Sequence, residues 1–307
     1  MEEHAHHHHH HHHHEPHAVT DSLYKIFIVC IALNLLFVFI EAFVGFFFNS
    51  LGLLSDAGHN LSDVFSLMLA LVAFRLARRP ANAHFTYGYK KATILISLLN
   101  AVILLVAVGA IIIESIYRFR NAAEVSGEAI GWTAGAGIVV NGLTTWLLMK
   151  DRKTDLNVNG AFLHMLMDTL VSVGVVVSGV IISFTGWVWI DSAVSLAIAA
   201  IILISTYRLL KESLFLSLDA VPVGIDIEKL KKEIGGTQGV ESWHHLHVWA
   251  ISTTENAATL HIVMNDLSAM ECIKNNLKET FRKNGISHCT IECETAGGVC
   301  HEMDCCC

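Results

Sequence analysis

The chain has 307 residues, 53% of them hydrophobic and 16% charged, with a formal charge of −8. Soluble domains carry about 25% charged residues, so this composition points to an integral membrane protein and excludes a basic face for nucleic acid. Residues 213–307 hold 13 acids and 7 bases, so most of the negative charge belongs to a separate, water-exposed C-terminal unit.

In chain order, residues 1–22 form a His-rich arm with nine consecutive histidines, His6 to His14, flanked by His4 and His17. An expression tag is one reading. The length of the tract and its frame of Glu2, Glu3 and Glu15 favour a native, cytoplasmic arm that gathers metal weakly. A basic region before a short apolar run, the mark of a secretory signal, is missing from this stretch. The eight cysteines, seven of them after residue 271, are expected to be thiols in a reducing compartment and to serve as metal ligands rather than disulfides.

Residues 23–212 read as six apolar spans, roughly 26–48, 52–75, 92–117, 129–149, 157–184 and 188–208. Each approaches or exceeds the ~20 residues needed to cross hydrocarbon, and all three prolines fall outside them. Lys25, Arg75, Arg78, Arg79, Lys90, Lys91, Lys150, Arg152, Lys153, Arg208 and Lys211 fall on one side, against Arg118 and Arg120 on the other. Basic residues stay cytoplasmic, so both termini are expected in the cytoplasm of a multi-pass protein of the cell (inner) membrane. After Pro222 the pattern becomes α-β-β-α-β, a small α+β domain over residues 213–296, followed by a Cys-rich tail, 297–307.

Charged groups inside a bilayer cost at least ~2.5–3.5 kcal/mol on the insertion scale, so those present need a reason. Glu114 and Asp191 lie near span ends and Glu41 reads as a packing group. His59 and Asp63 are four apart in span two, with Asp56 one turn before, and His164 and Asp168 repeat the spacing in span five. Residues four apart share a helix face, so the two spans offer two imidazoles and two carboxylates, a ligand set that suits a tetrahedral zinc-like ion. Asn157 and Ser172 extend the polar stripe of span five.

The stretch Asn49-Ser50-Leu51-Gly52-Leu53-Leu54-Ser55-Asp56-Ala57-Gly58-His59-Asn60-Leu61-Ser62-Asp63 resembles the signature of the cation diffusion facilitator family, and Gly160 to Asp168 resembles its fifth-helix motif. The resemblance runs from about residue 25 to 295. It implies a homodimeric, proton-coupled exporter of divalent metal, with a ferredoxin-like cytoplasmic domain and a transport site at His59, Asp63, His164 and Asp168. It also implies a cytoplasmic zinc site at His244, His261, His288 and Glu294, to which Cys300 of the tail is added as a candidate ligand. His245 and His247 read as ordinary strand residues that share a face opposite to His244 if the strand is regular. The loop between spans two and three has a single histidine, His84, and no acid, so a metal site there is not expected.

Zinc fits the nitrogen and oxygen ligands better than manganese, which favours oxygen-rich sites. The imidazoles must be neutral to bind metal, so protons compete with the ion. The expected function is therefore zinc export by proton antiport, not an enzyme activity. Cadmium, cobalt, nickel or iron are alternative cargo, and a membrane-bound zinc sensor is an alternative function. An intramembrane metalloprotease would need His-Glu-x-x-His, and ATP coupling a Gly-x4-Gly-Lys-Ser/Thr loop, and the sequence has neither.

Overall fold

A computed structural model describes residues 21–47, 51–120, 128–187 and 189–295. Long apolar runs free of proline let the backbone satisfy its own hydrogen bonds, giving helices α1 (Asp21–Phe47), α2 (Leu51–Ala77), α3 (Ala92–Arg120), α4 (Glu128–Met149), α5 (Leu156–Thr185) and α6 (Trp189–Ser217). The bundle pairs α1 with α2, α4 with α5, and α6 with both α3 and α5. Its outside is apolar. Phe46, Phe47, Val106, Val139 and Ile113 are all more than half exposed, a surface that water does not tolerate over such an area. Leu23–Val44 and Ala92–Tyr117 are long and apolar enough to cross a membrane by composition alone.

Inside, polar side chains tie helices together. Asn34 Nδ2 donates to Thr144 Oγ1 at 2.9 Å, joining α1 to α4. The hydroxyls of Ser97 and Ser213 meet at 2.9 Å between α3 and α6. Ser213 lies beyond the expected domain limit at residue 212, because α6 continues without a break through Leu214, Phe215 and Leu216. The α2–α3 turn depends on Gly88. Its φ is +69° and a Cβ there would stand 2.8 Å from the Arg79 carbonyl oxygen, so a side chain does not fit.

The C-terminal domain comprises α7 (Ile227–Gly235), β1 (Ser242–Ala250), β2 (Asn256–Met264), α8 (Met270–Lys283) and β3 (His288–Thr295), the expected order of elements. The sheet runs β1-β2-β3, with β1 antiparallel and β3 parallel to β2. Leu230, Ile234, Leu277 and Phe281 of the helices pack on Leu246, Leu260 and Ile262 of one sheet face. That core leaves the other face free for polar residues.

The two parts meet at a polar seam. The β1–β2 hairpin places the Thr253 backbone N–H 3.1 Å from Thr93 Oγ1 at the start of α3. Thr253 Oγ1 also donates to Asp155 Oδ2. Lys90 pairs with Glu255 at 2.6 Å, and Lys91 pairs with Asp219. Asp155 simultaneously caps α5, accepting from the N–H groups of Asn157 (2.7 Å) and Val158 (3.3 Å). Beside the seam a cavity of about 860 Å³ opens, lined by Asp151, Asp155, Asn159, Glu212, Thr253 and Asn256.

Burial pushes the Asp155 carboxyl above its ordinary range, against hydrogen bonds from Thr253 and from the Asn157 and Val158 backbone. The folded chain therefore holds that proton more tightly than the unfolded chain. This contribution to stability is present below the unfolded value of ~3.9 and is lost as pH rises through the raised folded value. Asp155→Asn, which caps equally well, is expected to remove that slope from a series of thermal midpoints taken in detergent between about pH 4 and about pH 7. Asp155→Ala should in addition lower the midpoint by the equivalent of ~1–2 kcal/mol, for a lost cap and a lost seam bond. An unchanged slope in Asp155→Asn would show that burial of this carboxyl is not linked to folding.

Candidate metal centres

Where α2 crosses α5, three side chains converge. His164 Nε2 lies 2.7 Å from Asp63 Oδ1 and 3.7 Å from Asp168 Oδ2. Single donor atoms from Asp63, His164 and Asp168 all lie within 4.8 Å of one another, and all three residues are buried, Asp63 completely. The i,i+4 spacing stacks His164 and Asp168 on one face of α5, and packing of α2 brings Asp63 onto the same nitrogen. Two carboxylates beside one imidazole concentrate negative charge in a low-dielectric interior, a setting that favours a divalent cation or protons. His59 stands on α2 one helical turn before Asp63; its side chain, like that of Asp56, lies outside the described residues.

Two neighbours of this centre were not singled out by sequence reasoning. Ser66 Oγ lies 3.4 Å from His164 Nδ1, the nitrogen facing away from the carboxylates, and orients the ring. Asn60 Nδ2 donates to Glu41 Oε2 at 2.7 Å, so Glu41 is a buried partner of the turn between His59 and Asp63. The available signal was position: Ser66 follows Asp63 by three residues and Asn60 precedes it by three, so all three share a face of α2.

A second centre lies on the free face of the C-terminal sheet. His244 and His261 are directly opposed across β1 and β2, while Glu292 and Glu294 of β3 stand opposite His261 and Val263. Glu294 Oε1 lies 2.9 Å from His261 Nδ1 and 3.2 Å from His244 Nε2, and the three residues supply donor atoms within 4.8 Å. Glu292 Oε2 is 3.5 Å from His261 Nε2. Burial raises the Glu294 carboxyl, but the His261 hydrogen bond and the adjacent His244 and His261 outweigh it and hold it below the ordinary range. Two imidazoles sharing one carboxylate oxygen match the nitrogen and oxygen donors that zinc accepts.

The remaining expected residues are placed as follows within the single chain. The structure does not bring His288 to this centre. It starts β3 opposite Ala257, four residues or ~13 Å along the strand from Glu292, with its ring edge-on to Tyr87 at 5.6 Å. β1 is not regular. A bulge between His244 and His247 turns His245 onto the face of His244, its ring 5.0 Å from that of His261. Cys289 and Cys293 pack towards the helices rather than onto the metal-facing side, and burial pushes the Cys289 thiol up to about 12 despite Lys278. They pack there as small apolar residues. Cys300, with the rest of the tail, lies outside the described residues. His84 is exposed in a turn whose backbone N–H groups are capped by Asn82.

Comparison with known proteins places this geometry in context. Residues 27–216 match the family described as the cation efflux transmembrane domain, and residues 222–296 match the cation efflux protein cytoplasmic domain. The chain is 40% identical over 264 residues to the cadmium, cobalt and zinc/H(+)-K(+) antiporter of Bacillus subtilis, covering 84% of this chain and 85% of that protein. It is 35% identical to the metal cation efflux system protein CzcD of Cupriavidus metallidurans over 90% of this chain and 87% of the relative. Against the zinc transporter ZitB of Escherichia coli it is 36% identical, covering 88% and 86%.

If Ser66 orients His164, Ser66→Ala should raise the metal concentration for half-maximal transport by about tenfold. That is the lower end of what orienting partners contribute, as befits a 3.4 Å contact. An unchanged concentration dependence would remove Ser66 from the centre.

Proposed function

The chain belongs to the cation diffusion facilitator family of metal-efflux transporters, and from that premise we propose that it exports zinc from the cytoplasm in exchange for protons. The observation that carries the reading is His164 Nε2 set between Asp63 and Asp168 inside the bundle. That nitrogen holds either a proton or a metal, never both, so loading one ion releases the other. Asp63, His164 and Asp168, with His59 one turn away on α2, form the transport site. All six long helices cross the membrane with both termini in the cytoplasm, and two copies of the chain assemble as a dimer.

In this reading zinc approaches through the cavity beside Asp155, whose lining carries Asp151 and Glu212 together with Arg152 and Lys153. It exchanges for the proton on His164 and is carried outward when the helices rock. Protons arriving from outside then displace it and neutralise the carboxylates for the return. Such a cycle requires the two conformations to differ in metal affinity. The centre at His244, His261 and Glu294 holds zinc in the cytoplasm. The Bacillus subtilis relative's name includes cadmium, cobalt and potassium. Cadmium and cobalt fit the same donors and form the second reading of the cargo.

The decisive experiment is zinc uptake into inside-out proteoliposomes containing a pH dye, for the native chain and for His164→Ala/Asp168→Ala. Zinc influx coupled to proton efflux and lost in the double variant is the expected result. Influx without proton movement, or influx coupled only to potassium, would overturn the proton antiport. Normal flux in Asp63→Ala or Asp168→Ala would overturn the site. Replacing His59 by Asp is expected to shift the preference towards manganese, read as competition between the two metals in the same vesicles.

A further inference from the structure

We propose that His245 is a fourth ligand of the cytoplasmic metal centre, closing His244, His261 and Glu294 into a four-coordinate site within one chain. The inference rests on the cytoplasmic zinc site proposed above and deepens it.

The first observation is backbone geometry. In a regular strand His245 would point away from His244. Instead the register jumps, with His244 opposite His261 and His247 opposite Thr259, so His245 and Leu246 together face a single residue of β2. His245 sits at φ +51°, the left-handed region that favours glycine and that few other residues occupy, histidine more readily than most. The bulge sends Leu246 into the core and leaves His245 on the metal-facing side. A histidine held in a conformation that glycine would adopt more readily points to a task for the imidazole.

The second observation is the side chain. His245 is only 7% exposed, and its Nδ1 is buried with no hydrogen-bond partner among the described residues. A buried polar atom left unpaired costs stability unless something else satisfies it. His244 Nε2, although 3.2 Å from Glu294, is not aligned for a hydrogen bond either. Two ring nitrogens in this cluster therefore have capacity for an ion.

The third observation is spacing. The ring centres of His244, His245 and His261 are 4.9, 5.0 and 5.3 Å apart. Three imidazoles on a tetrahedral ion with zinc–nitrogen bonds of ~2.0–2.1 Å have ring centres ~3 Å from the metal and hence ~5 Å from one another. The three rings already form that triangle, with Glu294 as the fourth donor. His244, His261 and Glu294 have donor atoms already converged, and His245 joins them by turning its ring. Four protein ligands leave no open position, which makes this a closed site that braces three strands rather than one that exchanges its water.

The test is hydrogen exchange on the full chain in detergent, titrated with zinc and read on peptides covering β1, β2 and β3. This readout is local to the sheet and does not depend on whether α2 and α5 transport metal. Two variants that tolerate a positive φ are used, His245→Asn and His245→Gly. The expected result is that both raise the zinc concentration for half-maximal protection of these strands by at least about tenfold, without faster exchange in the metal-free chain. A native midpoint in both variants overturns the proposal. So does a raised midpoint accompanied by faster metal-free exchange in both, because His245 would then shape the bulge and not bind the ion.

Discussion

Buried charge in a membrane-length bundle is tolerated only where it is balanced, and the pairing of Asp63 with His164 at 2.7 Å is where this chain meets that constraint. The two residues come from different helices, so the contact also sets how α2 sits on α5. Asp168 adds a second carboxylate to the same nitrogen, and Asn60 with Glu41 pins the preceding turn of α2 to α1. The centre is thus a structural joint, and under the proposed function exchange of a proton for a divalent metal would change the charge there, the kind of change that biases packed helices between two arrangements.

The cytoplasmic sheet is joined to this bundle through short, directional contacts. Asp155 caps α5, the helix that carries His164 and Asp168, and the same carboxylate accepts from Thr253 at the tip of the hairpin. The strands of that hairpin carry His244 and His261. A continuous covalent and hydrogen-bonded route therefore runs from the cytoplasmic donors to the first turn of α5. Lys90 with Glu255 and Lys91 with Asp219 reinforce the seam, at partly exposed positions where ion pairs contribute little alone and more as a group.

Much of this was legible in one dimension. Apolar length and the placement of lysine and arginine are local properties, and so is the i,i+4 spacing that puts His164 beside Asp168. The helix period is 3.6 whatever the helix packs against, so residues that share a face can be read directly. The same reasoning located His59 and Asp63 on one face of α2 and recognised the α-β-β-α-β order of elements in the C-terminal domain. It failed where strand pairing, not periodicity, sets position. His288 and Glu294 lie on one strand and one face, yet only Glu294 reaches His261, because the parallel register sets His288 opposite Ala257.

The sequence by itself determined that this is a membrane protein with two pairs of metal-type ligands, because composition and helical period need no partner. Tertiary structure alone decided which atoms meet. The crossing of α2 and α5 set Asp63 on His164, and Ser66 behind it, across a separation of about a hundred residues that no local pattern encodes. Pairing of β1 with β2 introduced the bulge that reverses the side of His245, and a one-residue change in strand register moves a side chain to the opposite face. Core packing likewise turned Cys289 and Cys293 towards the helices, away from the sheet face that carries His244, His261 and Glu294.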